Sequence, residues 1–249
     1  VAVMYGANSS GKSNVLKALK AMRDVLLNSV KLNPKDRLEA EPFSLDLTSG
    51  DEPTSFEIQF TLNNSKFRYG FDYTSEAIIS EWLYEKRPGE REFELFLRSG
   101  KEFKISKTRF AEGLGKQTAT PDNRLFVSLV AQLNGKLSLS ILDWFSNIEY
   151  MSGMDGNGYA GKTLEMLFMK QSGSSEITRF FEETNLGFME LEIEPESGDE
   201  KKMKSETVHR LYDADGNFIG LRNFPTEKME SEGTKKIIEI AGPIFDAIL

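Results

Sequence analysis

The first residues able to do chemistry stand almost at the start of the chain, at Gly6-Ala7-Asn8-Ser9-Ser10-Gly11-Lys12-Ser13. The spacing G-x-x-x-x-G-K-S is that of a Walker A loop, and each residue type in it has a physical reason. Gly6 and Gly11 permit backbone conformations that a side chain obstructs. The N–H groups of the loop can then turn inward on a phosphate, and a helix beginning after it adds the positive end of its dipole. Lys12 is placed to reach the β- and γ-phosphates of ATP, and the Ser13 hydroxyl to sit on Mg²⁺. Asn14 follows directly and completes the candidate nucleotide-binding set. The alternative is a glycine-containing turn that matches by chance, and the flanking elements decide between the two.

Those flanks have the required character. Val1-Ala2-Val3-Met4-Tyr5 is a short apolar run, consistent with a buried parallel strand. Behind the loop, Val15, Leu16, Leu19, Met22, Leu26 and Val30 recur at helical spacing. An amphipathic helix is expected from Asn14 to about Lys31, stopped near Asn33-Pro34.

A second candidate lies near the other end, at Glu230-Ser231-Glu232-Gly233-Thr234-Lys235-Lys236. Read as structure alone, Ser231 is an N-cap and Glu232 a favourable first-turn acid. That reading leaves Gly233 unexplained, since glycine weakens a helix by about 1 kcal/mol relative to alanine. Read as chemistry, a glycine beside a serine at a helix N-terminus lets an anion approach closely. The residues themselves leave both readings open.

Between these motifs the patterning changes. Phe56, Ile58, Phe60 and Leu62 alternate with polar neighbours, as do Phe67, Tyr69, Phe71 and Tyr73 after Asn63-Asn64-Ser65. Phe93, Leu95 and Leu97 continue the alternation, and Phe103 and Ile105 follow Ser99-Gly100. An antiparallel meander is expected. Helical spacing returns at 123–133, 138–145, 162–170 and 176–183, and strict alternation at Met189 to Glu194. Glu196 to Lys204 reads as a charged mobile loop, and Thr207 to Tyr212 with Phe218 to Phe224 as a hairpin about Asp213-Ala214-Asp215-Gly216-Asn217. Ile237, Ile238, Ala241, Phe245 and Ile248 form a last helical pattern, which Pro243 should kink or divide.

The two motifs together resemble a family. YGANSSGKSNVLKAL and MESEGTKKIIEIAGPIFDAIL look like the ATPases of the ABC/SMC-like class, and more narrowly like bacterial OLD-like and abortive-infection ATP-binding proteins. EPFSLD, TSFEIQF and IISEWLYEKR fit that narrower group, so the resemblance covers most of the chain. It implies an α/β fold: a P-loop NTPase of ABC-ATPase type with an antiparallel β insertion and a helical subdomain. The expected divisions are 1–32 for the P-loop strand and helix, 43–106 for the β insertion, 122–185 for the helical region, and 186–249 for a small sheet and signature helix. In such ATPases a Ser-x-Gly-Thr element takes the place of the ABC signature. The resemblance therefore implies that Ser231, Gly233 and Thr234 face the γ-phosphate held by a second subunit. Family members carry a Walker B strand after the signature helix, with a D-loop and switch histidine following, so the catalytic Glu is expected beyond Leu249. The chain opens inside a strand pattern without an initiator methionine and closes inside a helical one, and is expected to be part of a longer polypeptide. For the Q-loop, Gln59 in a strand and Gln132 in a helix are both candidates, and neither is assigned.

Composition narrows the chemistry further. With no cysteine, disulfides, thiolate zinc sites and a cysteine nucleophile are excluded. His209 is the single histidine, which excludes a multi-histidine metal site within this chain; it has no evident relay partner and reads as a structural or surface residue in a strand. The calcium-loop reading of Asp213 to Asn217 lacks the proper spacing and closing Glu, and an Asp-Gly turn is preferred. A net charge of −8 disfavours a surface that grips nucleic acid throughout, though a local basic groove stays open, as at Lys201-Lys202 with Lys204 or Lys66-Phe67-Arg68-Tyr69. The aromatics from Phe56 to Tyr73 read instead as sheet core, and Trp82 and Trp144 as core or interface anchors. No apolar run approaches the roughly 20 residues that span a bilayer, and a cytoplasmic location is expected.

The expected function is an ATP-binding and ATP-hydrolysing ABC-type head in a bacterial anti-phage, abortive-infection system. It would pair as a homodimer or higher homo-oligomer through ATP-bound heads and control a toxin or nuclease effector. One alternative is the head of an OLD-type nuclease or SMC-like DNA-repair protein, with nucleic acid as partner; the lack of a long heptad run counts against SMC. Another is a non-hydrolysing ATP-dependent scaffold or sensor.

Overall fold

The structure is a computed structural model that describes residues 4–8, 10–40, 49–50, 52–148, 150, 159–196 and 199–249, with side chains left undescribed at 199–201. The chain divides into two compact units, Val1–Tyr150 and Met151–Leu249. The helical region expected over 122–185 has residues in both.

In the first unit, α1 (Lys12–Asn28) runs into a single 3-10 turn at Ser29–Lys31. A meander follows: β1 (Thr54–Leu62), β2 (Ser65–Tyr73), β3 (Ile78–Lys86), β4 (Phe93–Ser99) and β5 (Glu102–Ile105), in the spatial order β1-β2-β3-β4-β5 and antiparallel throughout. Asn63 and Asn64 both take positive φ, of 49° and 65°, which is what a two-residue hairpin matched to sheet twist requires. The register sets Phe56 opposite Phe71, Ile58 opposite Tyr69 and Phe60 opposite Phe67, so the alternating aromatics meet on one face. Against them lie α1, α2 (Phe126–Gln132) and α3 (Lys136–Ser146), with Trp144 stacked on Phe60 at 4.4 Å and Phe145 fully buried. Phe67 and Tyr69 are thus core residues and not a stacking platform for bases, because their rings are taken up inside the sheet–helix layer.

β3 escapes the sequence patterning for a visible reason. Its core-facing positions are Glu81, Leu83 and Glu85, so two carboxylates break the apolar alternation. Glu81 is fully buried and satisfied: Oε2 accepts from Phe126 N–H (2.6 Å), and Oε1 from Val127 N–H and Tyr69 OH (both 3.0 Å). Leu125, the residue before α2, offers no capping side chain, so a strand residue distant in sequence serves as the cap. Arg98 lies 3.7 Å from Glu81 and donates to the carbonyls of Arg124 and Gly100. Burial raises the Glu81 carboxyl above the usual range, partly offset by Arg98, and lowers Arg98. In the same manner Glu112 accepts from Leu137 N–H and Ser138 N–H at the start of α3, which Gly135 leaves uncapped.

The parallel strand expected at Val1 to Tyr5 is not formed at Met4 and Tyr5, which have no regular structure and are exposed; Val1 to Val3 lie outside the described residues. A parallel strand needs parallel neighbours, and every strand pairing among the described residues is antiparallel. EPFSLD also lies outside the described residues.

The second unit comprises α4 (Tyr159–Phe168), α5 (Ser174–Thr184), β6 (Glu190–Glu196), β7 (Asp199–Tyr212), β8 (Phe218–Pro225), a short α6 (Thr226–Met229) and α7 (Glu232–Ile248). The sheet order is β6-β7-β8. Its core joins Leu164 and Met166 of α4, Ile177 and Phe181 of α5, and Ile238 and Ala241 of α7. The segment expected as a mobile loop at 196–204 is instead mostly strand. β7 begins at Asp199, with Met203 opposite Pro195 and Lys204 opposite Glu194, and the latter pair forms an ion pair at 3.1 Å. Opposite charges placed cross-strand stabilise the pairing that a charge count alone reads as disorder.

Pro243 does not divide α7, which is continuous through it. Proline removes the N–H that would bond the Glu239 carbonyl. Thr163 of α4 donates its hydroxyl to that carbonyl (3.1 Å) and accepts from Gly242 N–H (2.8 Å). The two helices approach so closely that a Cβ on Gly242 would come 2.6 Å from the Thr163 Cα.

Candidate nucleotide-binding site and signature helix

The Walker A loop delivers α1 as its spacing demands. Gly11 takes φ 83°, a left-handed conformation that favours glycine, and the helix begins at the next residue, Lys12. Ser10 N–H donates to the Ala7 carbonyl (3.3 Å), which tightens the loop. At Gly6 a Cβ would stand 2.6 Å from Ser10 Oγ. Lys12 folds its ammonium back over the loop and donates to the carbonyls of Gly6 (2.7 Å) and Ala7 (2.6 Å). Ser13 and Asn14 are exposed on the first turn, and Ser9 lies outside the described residues.

The electrostatics suit an anion. The first turn of α1 contains no acidic residue, and no side chain of its N-cap residue closes it. Among the described residues no side chain accepts from the N–H groups of that turn. The positive end of α1 therefore faces solvent with Lys12 beside it.

The segment expected to serve as a signature, Ser231 to Thr234, lies in the other unit. Ser231 is the N-cap of α7: its Oγ accepts from Thr234 N–H (3.1 Å) and contacts Thr234 Oγ1 at 3.0 Å. Lys235 pairs with Glu232. Ser231, Glu232 and Gly233 are exposed. A Cβ on Gly233 would meet nothing closer than Ser231 Oγ at 3.7 Å. Among the described residues, neither close packing nor backbone conformation requires glycine there.

His209 acquires the partner that the sequence did not show. Its Nε2 lies 2.7 Å from Glu230 Oε1, and the Thr207 hydroxyl donates to the same oxygen at 2.6 Å. The strand expected from Thr207 to Tyr212 already set Thr207 and His209 on one face; what no sequence signal disclosed was that Glu230 meets them there. Of the Q-loop candidates, Gln59 is exposed on β1 and Gln132 is exposed at the end of α2. Asp213 closes the β7–β8 turn by accepting from Asp215 N–H (3.0 Å) and Asn217 N–H (2.8 Å), and the Asn217 bonds hold its carboxyl below the usual range. Among the described residues no group of three or more His, Asp or Glu side chains is placed to hold a metal ion. No helix among them is long and apolar enough to cross a membrane.

A P-loop at the head of a helix, in an α/β chain, defines a nucleotide-binding domain of the P-loop NTPase class. Residues 1–248 match the family described as "AAA domain, putative AbiEii toxin, Type IV TA system", and the chain belongs to that family. No curated protein sequence matches it.

Proposed function

We propose that this chain is an ABC-type ATPase head that binds Mg-ATP on the Walker A loop and presents Ser231, Gly233 and Thr234 to the ATP of a second copy. The observation that carries the reading is Gly233. It stands in the first turn of α7, where among the described residues an added Cβ would meet nothing closer than Ser231 Oγ at 3.7 Å and alanine would stabilise the helix by up to about 1 kcal/mol. A residue that weakens its own helix without a packing reason points to a requirement from outside, and close approach of a phosphate is such a requirement.

In this reading Lys12 leaves the Gly6 and Ala7 carbonyls to meet the β- and γ-phosphates, Ser13 holds Mg²⁺, and the loop N–H groups with Asn8, Ser10 and Asn14 surround the phosphates. The bound Mg-ATP supplies the phosphoryl group for hydrolysis, and the carboxylate that activates water is not assigned to any residue here. Clamped heads would form a homodimer or higher oligomer, and turnover would release it. The family description, with its putative AbiEii toxin and type IV TA system, supports a toxin–antitoxin or defence context. The job best suited to such a clamp is control of a toxin or nuclease effector in abortive infection of bacteria, carried out in the cytoplasm.

Two substitutions test this. Lys12→Ala removes a charge-assisted contact worth about 1.5–3 kcal/mol, so nucleotide affinity by fluorescence titration should fall between about 10- and 150-fold. Gly233→Ala should leave affinity for nucleotide intact and raise or preserve thermal stability, yet abolish ATP-dependent association in sedimentation. Unchanged association would remove the trans-signature reading. Association without turnover by the full-length protein would assign a scaffold in place of a hydrolase.

A further inference from the structure

The segment that leads into the signature is held from one side by one strand. Ser205, Thr207 and His209 occupy alternate positions of β7 and so share a face of the sheet. Each reaches the segment between β8 and α7. Ser205 Oγ bonds Thr226 Oγ1 at 2.9 Å, Thr207 donates to Glu230, and His209 Nε2 lies on the same Glu230 oxygen. Thr226 and Thr207 are buried, and the Glu230 side chain is 9 % exposed. Phe224, whose ring lies 5.4 Å from His209, closes one side of the cluster, and Glu230 N–H bonds the Thr226 carbonyl.

Glu230 is the residue immediately before Ser231. The short α6 ends on it, and the chain turns there into an extended conformation before α7 begins. A buried carboxylate fixed by a hydroxyl and an imidazole costs desolvation and gives a single orientation in return. A glutamate needed only to start a helix would sit in solvent in the first turn, as Glu232 does.

We propose that Glu230, clamped by Thr207 and His209, is a positioning residue for the signature: it fixes where Ser231 and Gly233 stand when they meet the γ-phosphate of the paired head. This rests on the reading of Ser231, Gly233 and Thr234 as a trans contact. The β6-β7-β8 sheet thereby has a task in the ATP cycle, as the rigid base of the signature turn. None of Ser205, Thr207, His209 and Glu230 touches nucleotide in this scheme, so nucleotide binding at the chain's own P-loop does not depend on them.

The experiment compares Glu230→Ala, Glu230→Gln, His209→Asn and Ser231→Ala in the full-length protein. It uses a fluorescent ATP analogue for binding, sedimentation for ATP-dependent association, and mixing with Lys12→Ala protein. Glu230→Ala should bind the analogue as the parent does and lose between about ten- and a hundred-fold in ATP-dependent association, as expected of a misplaced group. Glu230→Gln, which keeps an acceptor oxygen, should retain most of it, and His209→Asn should fall between. Mixing Glu230→Ala with Lys12→Ala should restore association, because one interface then combines an intact P-loop with an intact signature. Parent-like association of Glu230→Ala beside a defective Ser231→Ala overturns the positioning role and leaves the trans contact standing. Parent-like association of Ser231→Ala overturns the trans contact and the positioning role with it. Should Glu230→Ala fail to fold, Thr207→Val takes its place with the same expectations, and failure of the mixture to associate overturns the proposal.

Discussion

The buried carboxylate of Glu81 offers the sharpest test of what holds the first unit together. Glu81→Ala removes at once the acceptor for Phe126 N–H, Val127 N–H and Tyr69 OH, and the anion beside the buried Arg98. Breaking a buried pair by deleting one partner costs about 3–5 kcal/mol, and each buried donor left without an acceptor about 1–3. These terms overlap, since the same void admits water to several of the groups, so a loss of about 4 kcal/mol is expected. Both tryptophans, Trp82 and Trp144, belong to this unit, so intrinsic fluorescence in a urea titration follows its unfolding. With a slope of about 2 kcal/mol per molar urea, the midpoint should drop by about 2 M. A drop of less than about 0.5 M would refute the argument. The double variant Glu81→Met, Arg98→Met supplies an internal control: its loss should fall short of the sum of the single losses by about 1 kcal/mol or more, because removing both charges leaves neither one buried alone.

Thr163→Val keeps the shape of the side chain and deletes the hydroxyl that serves Glu239 O and Gly242 N–H. It should cost about 1–3 kcal/mol and speed amide exchange in α7 around Pro243, and unaltered exchange there would show that the helix needs no help across its proline. The Asp213 carboxyl lies below its ordinary value because it accepts from Asn217. Its contribution to the β7–β8 turn is therefore complete above an unfolded value of about 3.9 and is lost as pH falls through the lower folded value. The Asn217 amide resonance should titrate with a midpoint under about 3.9, and a midpoint at or above that value would contradict the assigned bonds.

What the sequence disclosed was contiguous geometry. The Walker A helix, the aromatic hairpin with Asn63-Asn64 at its tip, and Ser231 as the cap of α7 each depend on residues a few positions apart. What it concealed was geometry that joins distant residues. β3 was hidden because Glu81 and Glu85 face the core, where Tyr69, α2 and Arg98 satisfy the first and Ser65 and Arg87 the second. The strand from Asp199 was hidden because its charges pair across to β6. Of the kink or division expected at Pro243, the division does not occur, and the Thr163 hydroxyl that serves the freed carbonyl comes from 80 residues upstream. His209 looked solitary because Glu230 is brought to it by a hairpin and a short helix.

The same physics points back to the nucleotide site. Every helix start has N–H groups that need acceptors, and a start with no local capping side chain finds them in a distant side chain, in solvent, as at α5 behind Gly173, or in a ligand. In this chain α2 and α3 both begin behind residues that cannot cap, and each draws a glutamate from a distant segment to its first turn. α7 supplies its own cap from Ser231. α1 has neither: Gly11 has no side chain to give, and no described side chain accepts from its first turn. A distant carboxylate there, of the kind that completes α2 and α3, would repel phosphate from the positive end of the helix. The open first turn of α1 differs from that of α5 in having a lysine beside it that donates to two loop carbonyls, and this arrangement suits the phosphate of a bound nucleotide as the acceptor.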